Sequence, residues 1–170
     1  MPTNDLTTER PTAPSDLRFQ SPTKDDGPAM YDLARDVGLD RNSPYAYVMW
    51  GDYFASTSVV VHRGDEVVGF VAGFLTPAEP TTLFVWQIGV SGSARRLGLG
   101  SQMLDHLVDR LRPLHLEATV TPDNAASTAL FRSLGTRRRT RTEVSPAYPS
   151  ELLGPEHDPE LRFRIGPFDA

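Results

Sequence analysis

Two periods of apolar spacing divide this chain into strands and helices. Thr57–Arg63 (TSVVVHR) and Glu66–Leu75 (EVVGFVAGFL) are dense in β-branched and aromatic residues and flank Gly64-Asp65, which predicts a β-hairpin. Gly69 and Gly73 within its second strand predict a bend or a close backbone approach. Leu83–Val90 is apolar almost throughout, as in a buried strand, and Leu114–Thr121 alternates as in a half-buried one. The helical period governs Lys24–Val37, ended by Gly38, and Tyr45–Ala55, which follows the cap pair Ser43-Pro44. It returns in Leu99–Leu111, closed near Pro113, and in Asn124–Leu134, which Gly135 is expected to stop. Asp16–Gln20, Thr136–Val144 and Glu160–Ile165 are the remaining strand candidates, and Ser145–Pro159 reads as a long Pro-rich loop. The predicted order is β-αα-βββ-α-β-α-β-β, an α/β (α+β) chain.

Composition narrows the class. With 170 residues, 39% of them apolar, one domain over 16–170 is expected. Residues 1–15 are rich in Thr and Pro and read as a disordered leader. A net charge of −5 disfavours nucleic acid as a partner. The basic cluster Arg137–Arg141 is expected to be a solvated edge strand or a site for phosphates. No apolar run approaches the roughly 20 residues of a membrane span, and no secretory signal is visible, so a cytoplasmic location is expected. The chain has no cysteine, which excludes disulfides, thiolate ligands and a cysteine nucleophile. Its four histidines (62, 106, 115 and 157) lack ligand spacing, so no catalytic metal is expected.

The most informative stretch is Arg95-Arg96-Leu97-Gly98-Leu99-Gly100-Ser101, between the strand at 83–90 and the helix at 99–111. A glycine-bearing turn that opens a helix presents unpaired N–H groups and the positive end of the helix dipole, a site for phosphate. The spacing Arg-x-x-Gly-x-Gly is neither the Rossmann nor the Walker pattern. It resembles the acetyl-CoA pyrophosphate loop of the Gcn5-related N-acetyltransferases. Asn124-Ala125-Ala126-Ser127-Thr128-Ala129-Leu130-Phe131 through Gly135 resembles that family's later helix, with Phe131 where many members carry Tyr. A helix cap at Asn124 and core leucines at 130 and 134 are the plainer reading of the same residues.

The resemblance implies a mixed, mostly antiparallel twisted sheet flanked by helices and splayed between the strands at 83–90 and 114–121. It also implies cofactor contacts. Ile88, Gly89 and Val90 would pair with the pantetheine arm and supply an oxyanion donor. Arg95, Arg96, Gly98, Leu99, Gly100 and Ser101 would hold the pyrophosphate, and Asn124, Ser127 and Phe131 would border the arm. Phe131 has no proton to give a departing thiolate, so the family's general-acid role does not carry over.

Four further blocks resemble the L-2,4-diaminobutyrate acetyltransferases of ectoine biosynthesis: 39–47 (LDRNSPYAY), 83–87 (LFVWQ), 116–122 (LEATVTP) and 163–168 (FRIGPF). That family implies acetyl transfer to the 4-amino group of a small diamino acid, and a homodimer. A primary amine with a pKa near 10 is only about 0.1% neutral at pH 7, so a cation must be bound and then deprotonated. Glu117 shares one strand face with Thr119 and Thr121 and is the first choice to orient the amine and take its proton, unless it merely pairs with an Arg. His157 is the alternative acceptor. Trp86 is expected to wall the methylene chain, with Gln87 beside it, and Asp40, Asn42 and Tyr45 to meet the acceptor from the loop between the first two helices. Arg41, Asn42, Thr121 or a partner subunit are open as donors to the substrate carboxylate. A different small diamine, a protein N-terminus, or a catalytically silent acyl-CoA-binding module remain as rival readings.

Overall fold

The computed structural model describes residues 16–40 and 42–169; the expected leader over 1–15 and Arg41 lie outside them. The strands are β1 (Leu17–Gln20), β2 (Val59–Arg63), β3 (Glu66–Leu75), β4 (Thr82–Val90), β5 (His115–Val120), β6 (Thr142–Tyr148) and β7 (Glu160–Ile165). They form one sheet in the order β1-β2-β3-β4-β5-β7-β6. Every adjacent pair is antiparallel except β4 and β5, which run parallel, so the expected mixed, mostly antiparallel sheet is what forms. The helices are α1 (Gly27–Asp36), α2 (Pro44–Tyr53), α3 (Leu99–Leu111), α4 (Ala125–Arg137) and a short α5 (Ser150–Leu153). Among the described residues no helix is long and apolar enough to cross a membrane.

The two sheet faces carry separate cores. On one, Leu99, Met103, Leu104, Leu107 and Val108 of α3 pack with Phe131 and Leu134 of α4 against Leu83, Val85, Leu116, Ala118 and Val120. On the other, Met30, Leu33, Tyr47 and Trp50 of α1 and α2 cover Val60, Phe70 and Ala72. Each fully buried large side chain contributes about 1.5–3 kcal/mol relative to exposure. Arg137 and Arg138 clamp α4 to α3: Arg138 reaches Asp105 at 2.8 Å and Asp109 at 2.6 Å, and Arg137 reaches Asp105 at 3.0 Å. Two arginines of the basic cluster are therefore helix-end clamps, while Arg139 and Arg141 are exposed ahead of the edge strand β6.

Two element boundaries also differ from expectation. The helix expected to stop at Gly135 runs through it to Arg137. Glycine is needed there for space, since a Cβ would stand 2.1 Å from the Thr142 hydroxyl. The following strand therefore starts only at Thr142 and extends into the stretch read as a loop, which also contains α5.

Two irregularities shape the centre of the sheet. The β4–β5 pairing ends at Val85 opposite Ala118, although β4 continues to Val90 and β5 to Val120. The strands part there, as the splay between 83–90 and 114–121 anticipated. The β3–β4 register shifts at the same level, with Ala72 opposite Gln87 but Gly73 opposite Val85. Trp86 is thus a bulge residue. Val85 packs in the α3–α4 core, whereas Trp86 packs with the α1–α2 core and Gln87 bonds to α2. The extra residue puts two consecutive side chains on the α1–α2 face, which strict alternation forbids.

Candidate active site

The glycine loop delivers its N–H groups where the sheet opens. Gly98 precedes α3 at φ 66°, ψ 24°, a left-handed conformation that glycine adopts without a Cβ penalty. The first helical bond runs from the Gln102 N–H to the Gly98 carbonyl at 3.0 Å. The N–H groups of Leu99, Gly100 and Ser101 have no intrahelical acceptor, and the Gly98 cap has no side chain to offer. Arg95 and Arg96 are exposed on the approach to this helix end. The donors suit a diphosphate, with two guanidinium groups at hand for its charge. Across the opening, Asn124 is the cap of α4, its side-chain oxygen accepting from the Ser127 N–H at 3.0 Å.

A cavity of about 480 Å³ occupies the parting of β4 and β5. Trp86, Gln87 and Ile88 line it from β4, Thr119 and Thr121 from β5 and its end, and Asn124, Ser127 and Phe131 from α4. Asp40 and Asn42 enter from the α1–α2 loop, and Tyr148, Leu153, His157 and Glu160 from the β6–β7 region. The structure therefore gathers most of the acceptor and arm residues singled out in the sequence around one space. Phe131 is 3% exposed and packs on Phe163 with ring centroids 6.1 Å apart, so it is core and wall together.

Two expected acceptor residues stand elsewhere. Tyr45 is 74% exposed on the first turn of α2 and is not on the cavity wall. Glu117, the first choice for the base, is also off the wall. Its carboxylate accepts from Arg164 Nη1 at 2.5 Å, with Arg162 Nε 3.9 Å away. Arg164 in turn donates to both Glu79 oxygens, at 2.8 and 2.9 Å, and to His115 Nδ1 at 3.0 Å. The antiparallel register, which sets Arg164 directly across from Glu117, pairs this carboxylate with an arginine, the alternative left open for it in the sequence.

His157 is better placed. Its Nδ1 is 2.6 Å from the Asp158 backbone oxygen, an atom that can only accept, so Nδ1 carries the hydrogen. The neutral ring then presents the Nε2 lone pair, which lies 3.9 Å from Glu160 Oε1. The Asp158 carbonyl, with Asp40 and Glu160 nearby, raises the His157 pKa above its ordinary value.

Sequence reasoning missed Glu160 and Tyr47. The Glu160 side chain is only 16% exposed, and its Oε2 is buried without a hydrogen-bond partner among the described residues. An unpaired carboxylate oxygen at a cavity wall is costly unless a ligand supplies the donor. The two-residue alternation of β7, with Glu160, Arg162 and Arg164 on one face, was the available signal. Tyr47 is 1% exposed, and its hydroxyl donates to Gln87 Oε1 at 2.7 Å. Gln87 Nε2 donates to the Asp40 carbonyl at 3.4 Å, and Asn42 Nδ2 donates to the same oxygen at 3.1 Å. This chain ties the loop bearing Asp40 to the bulge of β4. Burial pushes the Tyr47 phenol up, so it stays a donor.

Residues 27–136 match the family model described as acetyltransferase (GNAT) family. The chain is 46% identical over 154 residues to the L-2,4-diaminobutyric acid acetyltransferase of Marinococcus halophilus, covering 88% of this chain and 90% of that one. Identity to the enzyme of that name from Streptomyces coelicolor is 42%, with 93% and 97% covered. Among solved structures, the diaminobutyrate acetyltransferase of Paenibacillus lautus, in complex with its substrate L-2,4-diaminobutyric acid and coenzyme A, superimposes with a TM-score of 0.86 at 36% identity. That match covers 91% of this chain and 96% of the other.

Proposed function

The chain belongs to the acetyltransferase (GNAT) family, and we propose that it transfers the acetyl group of acetyl-CoA to the 4-amino group of L-2,4-diaminobutyrate for ectoine synthesis. The observation that carries this reading is one cavity at the strand parting, with a phosphate-type helix end on one side and unpaired carboxylate chemistry on the other. The relatives named diaminobutyrate acetyltransferase support the choice of acceptor.

Acetyl-CoA supplies an acyl thioester. The α3 N–H groups with Arg95 and Arg96 hold its diphosphate, and the β4 edge beyond Val85, unpaired toward β5, aligns its arm at Ile88, Gly89 and Val90. Trp86 walls the methylene chain of the acceptor, and Asp40 and Glu160 hold its ammonium groups. Glu160 grips the reacting amine and His157 Nε2 takes its proton. The amine nitrogen then bonds to the acetyl carbon while the carbon–sulfur bond breaks, the electron pair leaves with sulfur, and the second proton on the acylated nitrogen passes to the thiolate through solvent, giving the amide and the free thiol. A thiol pKa of about 8.5 lets the thiolate depart without an acid from Phe131. Glu117 is assigned to the arginine pair rather than to proton transfer.

The resemblance also supports a homodimer, which light scattering on the purified chain tests. The central experiment is release of free thiol from acetyl-CoA on adding L-2,4-diaminobutyrate, with the product identified by mass spectrometry. No release above the acceptor-free blank refutes the reading.

A further inference from the structure

The cavity wall contains Asp40, Glu160 and His157 but, among the described residues, no Lys or Arg. Carboxylates suit the two ammonium groups of a diamino acid. They repel its α-carboxylate, which needs a cation or strong donor of its own.

The sheet supplies one beside two wall residues, although Arg162 is not itself on the lining. Arg162 sits on β7 directly opposite Thr119 of β5, a wall residue, and opposite Ser145 of β6 on its other side. It shares its strand face with Glu160, two residues earlier, which also lines the cavity. The neighbouring Arg164 is saturated by Glu79, Glu117 and His115. Arg162 is not. Its Nε is buried without a hydrogen-bond partner among the described residues, and the carboxylate that faces it, on Glu117, stands 3.9 Å away and is bonded to Arg164. The Arg162 side chain is 40% exposed, which leaves its outer nitrogens within reach of a ligand, while its buried Nε–H is costly without an acceptor and a planar fork suits a carboxylate.

We propose that Arg162 binds the α-carboxylate of the acceptor and so makes the enzyme select an amino acid over a simple diamine. The inference rests on the proposed function and deepens it. Glu160 and Arg162, on one face of β7, then hold opposite charges of one zwitterion, and their spacing sets which amine is presented for acetylation.

The test compares L-2,4-diaminobutyrate with 1,3-diaminopropane, the same diamine without its carboxylate, in wild type, R162Q and R162K. Wild type should prefer the amino acid in kcat/KM. In R162Q that preference should fall roughly 10- to 100-fold, through a higher KM for diaminobutyrate, with the KM for acetyl-CoA unchanged. R162K keeps the charge but loses the fork, and its preference should lie between the two, so the test does not depend on one variant folding. An unchanged preference, or equal losses on both acceptors, overturns the proposal. A wild-type protein that acetylates neither acceptor overturns the reading of the function, and the role of Arg162 falls with it.

Discussion

Trp50 and Trp86 stack with ring centroids 4.3 Å apart and planes 15° from parallel. The indole N–H of Trp50 donates to the buried Ser58 hydroxyl at 3.0 Å, and Ser58 Oγ also accepts from the Gly73 N–H at 3.1 Å. The cavity wall at Trp86 is thus held from behind by a second indole anchored to β3. Trp86→Ala should raise the diaminobutyrate KM roughly tenfold, about 1.4 kcal/mol, and leave the acetyl-CoA KM alone. Ser58→Ala orphans two buried N–H groups, those of Trp50 and Gly73, and should cost about 1–3 kcal/mol for each, read as a lower Tm. Equal shifts in both KM values for Trp86→Ala would remove it from the acceptor wall.

Activity should depend on His157 in a stated direction. The Asp158 carbonyl and the nearby carboxylates hold its pKa above the ordinary value, and only the neutral ring accepts a proton. With diaminobutyrate, kcat/KM should therefore rise with pH through a midpoint above 6.5, the ordinary imidazole value. His157→Gln should lower kcat by about 10²–10⁴ and abolish that limb of the profile. A variant that keeps the limb would show that another group titrates.

Glu117→Gln separates the arginine pair from catalysis. The pair is largely buried, with the Glu117 side chain 14% exposed. Weakening it should cost about 1–3 kcal/mol of stability, visible as a lower Tm. Kinetic constants per folded enzyme should move by less than about tenfold. A loss of kcat beyond about a hundredfold with Tm preserved would return the base to Glu117.

The cofactor loop makes two different demands on glycine. Gly98 is required by its positive φ, and Gly98→Ala should cost about 1–2 kcal/mol of stability. Gly100 is helical, and its added Cβ would meet only Leu130, at 3.4 Å. Gly100→Val should therefore leave a folded protein whose acetyl-CoA KM is raised at the helix end, measured against Tm in the same preparation. An unchanged KM in a folded variant removes this helix end from the cofactor site.

Local signals carried far in this chain. The Val- and Phe-rich runs around Gly64-Asp65, the cap pair Ser43-Pro44, the Arg-x-x-Gly-x-Gly loop and Glu160–Ile165 each specify structure within a few residues. The hairpin, the loop and the last strand form accordingly, and α2 starts at Pro44. The sheet class and the splay followed from the family resemblance that these motifs carry. What depended on partners distant in sequence was not legible. Gly135 reads as a helix stop by local rules, but Thr142 approaches it and glycine is kept for space within the helix. Glu117 reads as an isolated carboxylate on an apolar strand until β7 pairs with β5 and sets Arg164 across from it. Gly73 marks an irregularity locally, but that β4 carries the extra residue and turns Trp86 and Gln87 to one face lies in the pairing of β3 with β4. Periodicity, caps and turns act over a few bonds and are written in the sequence, whereas register and charge pairing join residues that only folding makes neighbours.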